Sequence, residues 1–348
     1  GWRSLNLLGF FLTTLFGFAW ALERYQAAFR TDIEIFLVLF FLLFTLAPAL
    51  LAYYRKPAVS AWLDGTLLFG VPAVAAAAQG TLGYGRGYLA LSAFAAGLYY
   101  LGLAALTRSS ENPVLPRAFN TLAITCLTVA VPLHFGAGVT TVFWALEGAA
   151  VLAFGLHQKR PLAIVAGVAI QLLAALRLLD AGLPLHGQAP FWNAFFPGAL
   201  ALALAGAISA WRLHRHGKGQ AFQAIALGWA VVWWLLAGWN EATAQAALRH
   251  RDALVLLWMV PGSLSLEWIG ARIGWSAGRY AAGVLWPVAL LALLSVTASQ
   301  GHPLAGAMAG ILPLALLAGY WMLHRQQLDG LSAWIEPRHL AGFWMVML

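Results

Sequence analysis

One carboxylate stands in the middle of an apolar run, Gly138-Val-Thr-Thr-Val-Phe-Trp-Ala-Leu-Glu147-Gly-Ala-Ala-Val-Leu-Ala-Phe-Gly155. A charge near the bilayer midplane costs about 2.5–3.5 kcal/mol or more, so a carboxylate there is partnered or functional. The functional chemistry is a proton, ion or headgroup site. The structural alternative is a glutamate that joins two helices by hydrogen bonding. The next apolar run turns back after Lys159-Arg160, which places Gln171 at the depth of Glu147 and predicts a hydrogen bond between them.

Three further groups are candidates. Arg177, in Leu176-Arg177-Leu-Leu-Asp180, lies one or two turns from the end of its run. It either contacts an anionic substrate, or snorkels outward and pairs with Asp180. Pro261-Gly262-Ser263 falls at the centre of its run. The triplet marks either a discontinuous helix whose freed backbone groups bind ions or substrate, or a plain proline kink. Asp32 and Glu34 form an acidic pair at the mouth of the second run, where a helix N-terminus also favours acidic residues.

Other chemistry finds no footing. The nine histidines are scattered and no Cys/His cluster or metalloprotease spacing occurs, so neither a metal nor a cofactor is expected. Ser, His and Asp show no triad-like arrangement, and catalytic residues are not assignable. The single cysteine, Cys126, excludes an intrachain disulfide. Gly83-Tyr-Gly-Arg-Gly-Tyr88 lies between two apolar runs, without the strand-to-helix context of a nucleotide site.

The elements that hold these residues are membrane spans. Of the 348 residues, 62% are hydrophobic and 9% charged, against about 45–50% and 25% in soluble domains. Lipid must cover most of such a chain, and its continuous apolar runs demand helices rather than a barrel. Runs of spanning length fall at about 4–22, 32–54, 61–82, 86–107, 117–135, 138–157, 161–180, 191–213, 221–239, 252–270, 279–298 and 303–324. A shorter apolar run from about 339 reaches Leu348, and the chain reads as a fragment of a longer protein. The expected architecture is an all-α polytopic bundle of about 12–13 spans, residues 1–348 forming one domain.

Fourteen of the twenty Lys and Arg residues fall on the side of the first run's N-terminus, and six on the other. Basic excess marks the cytoplasm, which predicts a cytoplasmic N-terminus for this chain. The net charge of +8 therefore reports orientation and not nucleic-acid binding. Trp20, Trp62, Trp192, Trp211 and Trp334 lie near predicted run ends, as interfacial belts require. Small residues at Ala145/Ala149/Ala153 and Ala163/Gly167 predict close helix approach.

Phe143-Trp-Ala-Leu-Glu-Gly-Ala-Ala150, Phe154-Gly-Leu-His-Gln158, Trp2-Arg-Ser-Leu-Asn-Leu-Leu-Gly-Phe10 and Asp64-Gly-Thr-Leu-Leu-Phe-Gly-Val-Pro72 carry a resemblance along most of the chain. The chain resembles domain-of-unknown-function family 2339, predicted bacterial multi-pass membrane proteins. The resemblance implies a bacterial inner-membrane location and a many-helix bundle, and no activity. The pair Asp32 and Glu34 also resembles the outer-loop carboxylates of polyprenyl-phosphate-dependent glycosyltransferases, which implies a base or metal ligand for a lipid-linked substrate. The loop here is far shorter than theirs.

Three functions stay open. The first is transport or translocation of a small molecule, ion or envelope lipid, with Glu147 central. The second is an enzyme acting at the outer face through Asp32, Glu34 and Arg177. The third is a membrane scaffold. The expected partners are the bilayer and a lipid or small-molecule ligand.

Overall fold

The computed structural model describes residues 2–55, 63–108, 114–182, 189–246 and 248–331. Among these residues the secondary structure is helix and turn, with no strand, and nine helical segments are long and apolar enough to cross a membrane. The fold is an all-α membrane bundle. The apolar run from about 339, Trp62 and Trp334 lie outside the described residues. Two compact units divide the chain, one ending at Phe135 and the other beginning at Gly136.

The first unit contains α1 (Trp2–Arg24), α2 (Arg30–Arg55), α3 (Leu63–Thr81), α4 (Arg86–Leu106) and α5 (Val114–His134). A short 3-10 turn, Ala27–Phe29, leads into α2. Its core is small: Tyr100, Leu103, Phe119, Leu122 and Ala123 pack α4 on α5. Gly97 lets the two approach, since a Cβ there would lie 2.8 Å from Leu127 Cδ2. The Thr45 and Tyr99 hydroxyls, 2.8 Å apart, join α2 to α4. By contrast α1 buries none of its spanning window. Its visible contacts are aromatic, with Phe10 edge-on to Phe44 at 5.4 Å.

The second unit contains α6 (Ala137–His157), α7 (Pro161–Asp180), α8 (Phe195–Arg215), α9 (Gln220–Gln245), α10 (Leu248–Ile273), α11 (Ser276–Ala282), α12 (Leu285–Gln300) and α13 (Met308–Leu328). Here glycines set the helix spacing. A Cβ on Gly167 would lie 2.5 Å from the Leu152 nitrogen and 2.6 Å from the Gly148 carbonyl oxygen, so α6 and α7 meet backbone to backbone. Small residues permit this approach where lipid offers no hydrophobic drive to associate. Between α9 and α10 the arrangement is reciprocal. The Trp258 indole lies over Gly238, and the Trp234 indole lies over Gly262. The two rings stack at 4.4 Å and 19°, and Trp258 Nε1 donates to the Trp234 carbonyl oxygen at 3.0 Å.

The run expected at 279–298 proves to be two helices, α11 and α12, within one apolar segment Ser276–Gln300. The break falls at Gly283-Val284, one turn before Pro287, which has no N–H to bond the Gly283 carbonyl four residues back and so favours a helix start there. The Gly283 carbonyl accepts from the Trp286 nitrogen instead, at 3.1 Å.

Candidate functional site

The first unit holds an apolar cleft of about 640 Å³ between α1, α2 and α3. Phe10, Thr14 and Phe18 of α1 face Phe36, Phe40 and Phe44 of α2 across it, and Val71, Ala75 and Ala78 of α3 form its back. Trp20, Phe29 and Asp32 line one end. From Phe29 to Phe44 the wall extends roughly 22 Å at 1.5 Å per residue. That exceeds one leaflet's share, roughly half, of a hydrocarbon core about 30 Å thick.

Asp32 is exposed at this mouth, in the first turn of α2 where it also complements the helix dipole. Glu34 is separated from it. It is buried and turned toward α3 and α4, where its Oε1 accepts from Gln79 Nε2 at 2.5 Å and from the Tyr88 hydroxyl at 3.2 Å. Its other oxygen, Oε2, has no partner among the described residues. Tyr88 stacks on Tyr84 at 4.1 Å, and the Arg30 guanidinium lies 5.4 Å from the Tyr84 ring centre. The Tyr25 hydroxyl donates to the Leu82 carbonyl oxygen at 3.1 Å. These contacts tie the ends of α2, α3 and α4 together beside the cleft mouth. The acidic pair thus divides its work, one carboxylate on the cleft and one inside the helix junction.

The other candidates lie in the second unit. Gln171 is buried against Gly148, the neighbour of Glu147, and its Nε2 donates to Ser209 Oγ of α8 at 3.1 Å. Glu147 is half-buried and engaged. Arg177 Nη1 donates to Asp180 Oδ2 at 2.8 Å, a pair exposed on its acidic side. Pro261-Gly262-Ser263 does not interrupt α10, which is helical throughout. Gly262 instead provides the surface on which Trp234 lies, and Ser263 Oγ is buried without a partner among the described residues.

Three buried carboxylates carry little sequence signal, and each is fully hydrogen-bonded. Glu241 accepts from the Phe191 nitrogen at 2.9 Å and from Asn193 Nδ2 at 2.7 Å, while Asn193 Oδ1 accepts from the Phe195 and Phe196 nitrogens at the start of α8. Asp252 accepts from Arg251 Nε at 3.0 Å and from Ser295 Oγ at 2.5 Å. Glu267 is fully enclosed. It accepts from Arg279 Nε at 2.9 Å and from Gln326 Nε2 at 2.8 Å, and Arg279 also reaches Asp329 at 2.8 Å. Opposite charges on either side of Gly274, whose φ of 67° turns the chain from α10 into α11, were the available signal for this last cluster.

The cleft is walled by three apolar helices, of which α1 is long and apolar enough to cross a membrane. The family model described as "Predicted membrane protein (DUF2339)" covers residues 1–348. The chain belongs to the DUF2339 family. No curated protein and no solved structure matches it. Membership of DUF2339 thus agrees with the helical bundle and assigns no reaction to it.

Proposed function

We propose that this protein binds a lipid or lipid-linked molecule of the envelope and aids its movement, taking the hydrocarbon chain into the cleft between α1, α2 and α3. The observation that supports this reading is the cleft itself. Its walls are aromatic and aliphatic over more than a leaflet's depth, and an exposed carboxylate, Asp32, stands at one end. Apolar pockets with a few placed polar groups are the usual form of a ligand site. A carboxylate at the mouth accepts hydrogen bonds from hydroxyl or ammonium groups of a head group. Glu147 and Gln171 do not line this cleft, so the reading places the lipid contact in the first unit. An enzyme acting on a lipid-linked substrate would use the same cleft with Asp32 alone, because Glu34 is occupied by Gln79 and Tyr88.

The arginine-rich side is the cytoplasmic side of a bacterial inner membrane in this proposal, on the basic excess in its loops. Asp32 then faces the outer leaflet. The test is photo-crosslinking of the full chain in vesicles with a lipid carrying a photoactivatable group in its acyl chain. Labelling should map to α1–α3, and Ala75→Trp, which fills the cleft, should lower it severalfold. Unchanged labelling in Ala75→Trp, or labelling spread evenly over all helices, would overturn the proposal.

A further inference from the structure

A second groove, in the second unit and independent of the cleft, pairs apolar walls with unneutralised cations. It lies between α10 and α13 and has a volume of about 530 Å³. Val260, Leu264 and Trp268 form one wall, and Leu314, Leu317 and Trp321 the other. His250, in the first turn of α10, lies beside Gly306 just before α13, and Gln326 in the last turn of α13 donates to Glu267 in the C-terminal half of α10, so the two helices run in the same direction.

Each wall then ends in the same way. One turn beyond Trp268, the Arg272 guanidinium lies 4.5 Å from its ring centre. One turn beyond Trp321, the Arg325 guanidinium lies 5.1 Å from its ring centre. Both indoles are nearly half exposed. Neither arginine has a carboxylate partner among the described residues, although Glu267 and Asp329 lie close in sequence and both engage Arg279. The two helices therefore repeat one pattern: aliphatic, aliphatic, tryptophan, arginine.

Stacking on an indole fixes the plane of a guanidinium but leaves its edge N–H donors free. Two such forks at one end of a groove are suited to phosphate oxygens. From Val260 to Trp268 the wall measures roughly 12 Å, and with the arginine turn beyond it the groove spans about the depth of one leaflet. Tryptophan at that level is the usual interfacial anchor. Basic pockets between transmembrane helices on the positively charged side are suited to anionic lipid head groups.

We infer that the α10–α13 groove is a binding site for an anionic glycerophospholipid of the arginine-side leaflet. Its acyl chain lies between Leu264 and Leu317, and its phosphate is held by Arg272 and Arg325. Trp268 and Trp321 orient the two guanidiniums and flank the glycerol region.

The test is native mass spectrometry of the full chain purified in neutral detergent and titrated with phosphatidylglycerol, with phosphatidylcholine as the comparison lipid. The wild type should retain phosphatidylglycerol in preference to phosphatidylcholine. Arg272→Gln/Arg325→Gln should weaken phosphatidylglycerol binding about tenfold or more. Ala318→Trp, which fills the groove and keeps both guanidiniums, should weaken it similarly. It carries the test if the double variant aggregates. Arg215→Gln removes an arginine that also stacks on a tryptophan, Trp211, but does not line the groove, and should leave binding unchanged. Equal retention of the two lipids would overturn the inference. So would a loss in Arg215→Gln as large as in the double variant, or full binding in Ala318→Trp.

Discussion

The helices up to Phe135 and those from Gly136 onward are held together by different means. In the second unit, glycines at 148, 155, 167, 206, 238 and 262 bring backbones or indoles into direct contact with a neighbouring helix. In the first unit, Gly9, Gly17, Gly80 and Gly102 face open space, and Gly97 alone among its described glycines makes such a close approach. The buried carboxylates differ in the same sense. Both oxygens of Glu241, Asp252 and Glu267 are hydrogen-bonded, whereas Glu34 keeps one oxygen without a partner among the described residues. Between helices in lipid, close packing and interhelical hydrogen bonds supply the attraction. The second unit uses both. The first uses little of either around α1, and that is where the apolar cleft opens.

The comparison is most exposed at Glu267. Glu267→Ala would leave Arg279 buried with only the half-exposed Asp329 as partner and remove the acceptor of Gln326. Breaking a buried ion pair by deleting one partner costs about 3–5 kcal/mol. Thermal unfolding of the purified chain should show this as the largest loss in any single-site series. If Glu34→Ala lowers stability as much as Glu267→Ala does, the contrast between the units fails.

Glycine substitutions sharpen the contrast at a smaller scale. Gly238→Ala places a methyl group into the Trp258 indole and must displace the stacked pair. Overpacking of this kind costs about 1–3 kcal/mol. Gly102→Ala, on a helix of the first unit with nothing near its Cβ, should be neutral or slightly stabilising, since alanine favours helix over glycine by about 1 kcal/mol. Melting temperatures of the two variants in one detergent settle the point. Equal losses would mean that glycine contacts do not distinguish the units.

Much of this arrangement was legible from hydropathy, because apolar runs in a chain with so few charges leave helices as the solution. The all-α fold and most span positions follow from that one constraint. The partners of polar residues do not follow from it. Gln171 was matched to Glu147 by depth, and the further bond from its nitrogen to Ser209 on α8 involves a neighbour that only packing reveals. Arg279, the first residue of the run expected at 279–298, is buried because the turn at Gly274 folds α11 back onto α10. Gly262 was visible beside Pro261, but its role depends on Trp234 from another helix. Sequence spacing gives the face of a helix, and the identity of what covers that face is a property of the assembled bundle.

Exchanging one atom at each of two buried carboxylates tests the comparison most finely. Glu267→Gln puts an amide NH2 against either Arg279 or Gln326, both of which donate. One charge-assisted hydrogen bond is lost and two donors are opposed, a cost of about 1.5–3 kcal/mol. Glu34→Gln lacks that conflict. Its carbonyl oxygen still accepts from Gln79 and Tyr88, and the new NH2 takes the place of the oxygen that has no donor facing it among the described residues. The change should be smaller than at Glu267, because among the described residues no donor is set against the new NH2. Parallel thermal melts of the two amide variants measure the difference directly. A loss in Glu34→Gln equal to that in Glu267→Gln would show that Glu34 Oε2 is fully engaged, and that the first unit is tied as tightly at this junction as the second.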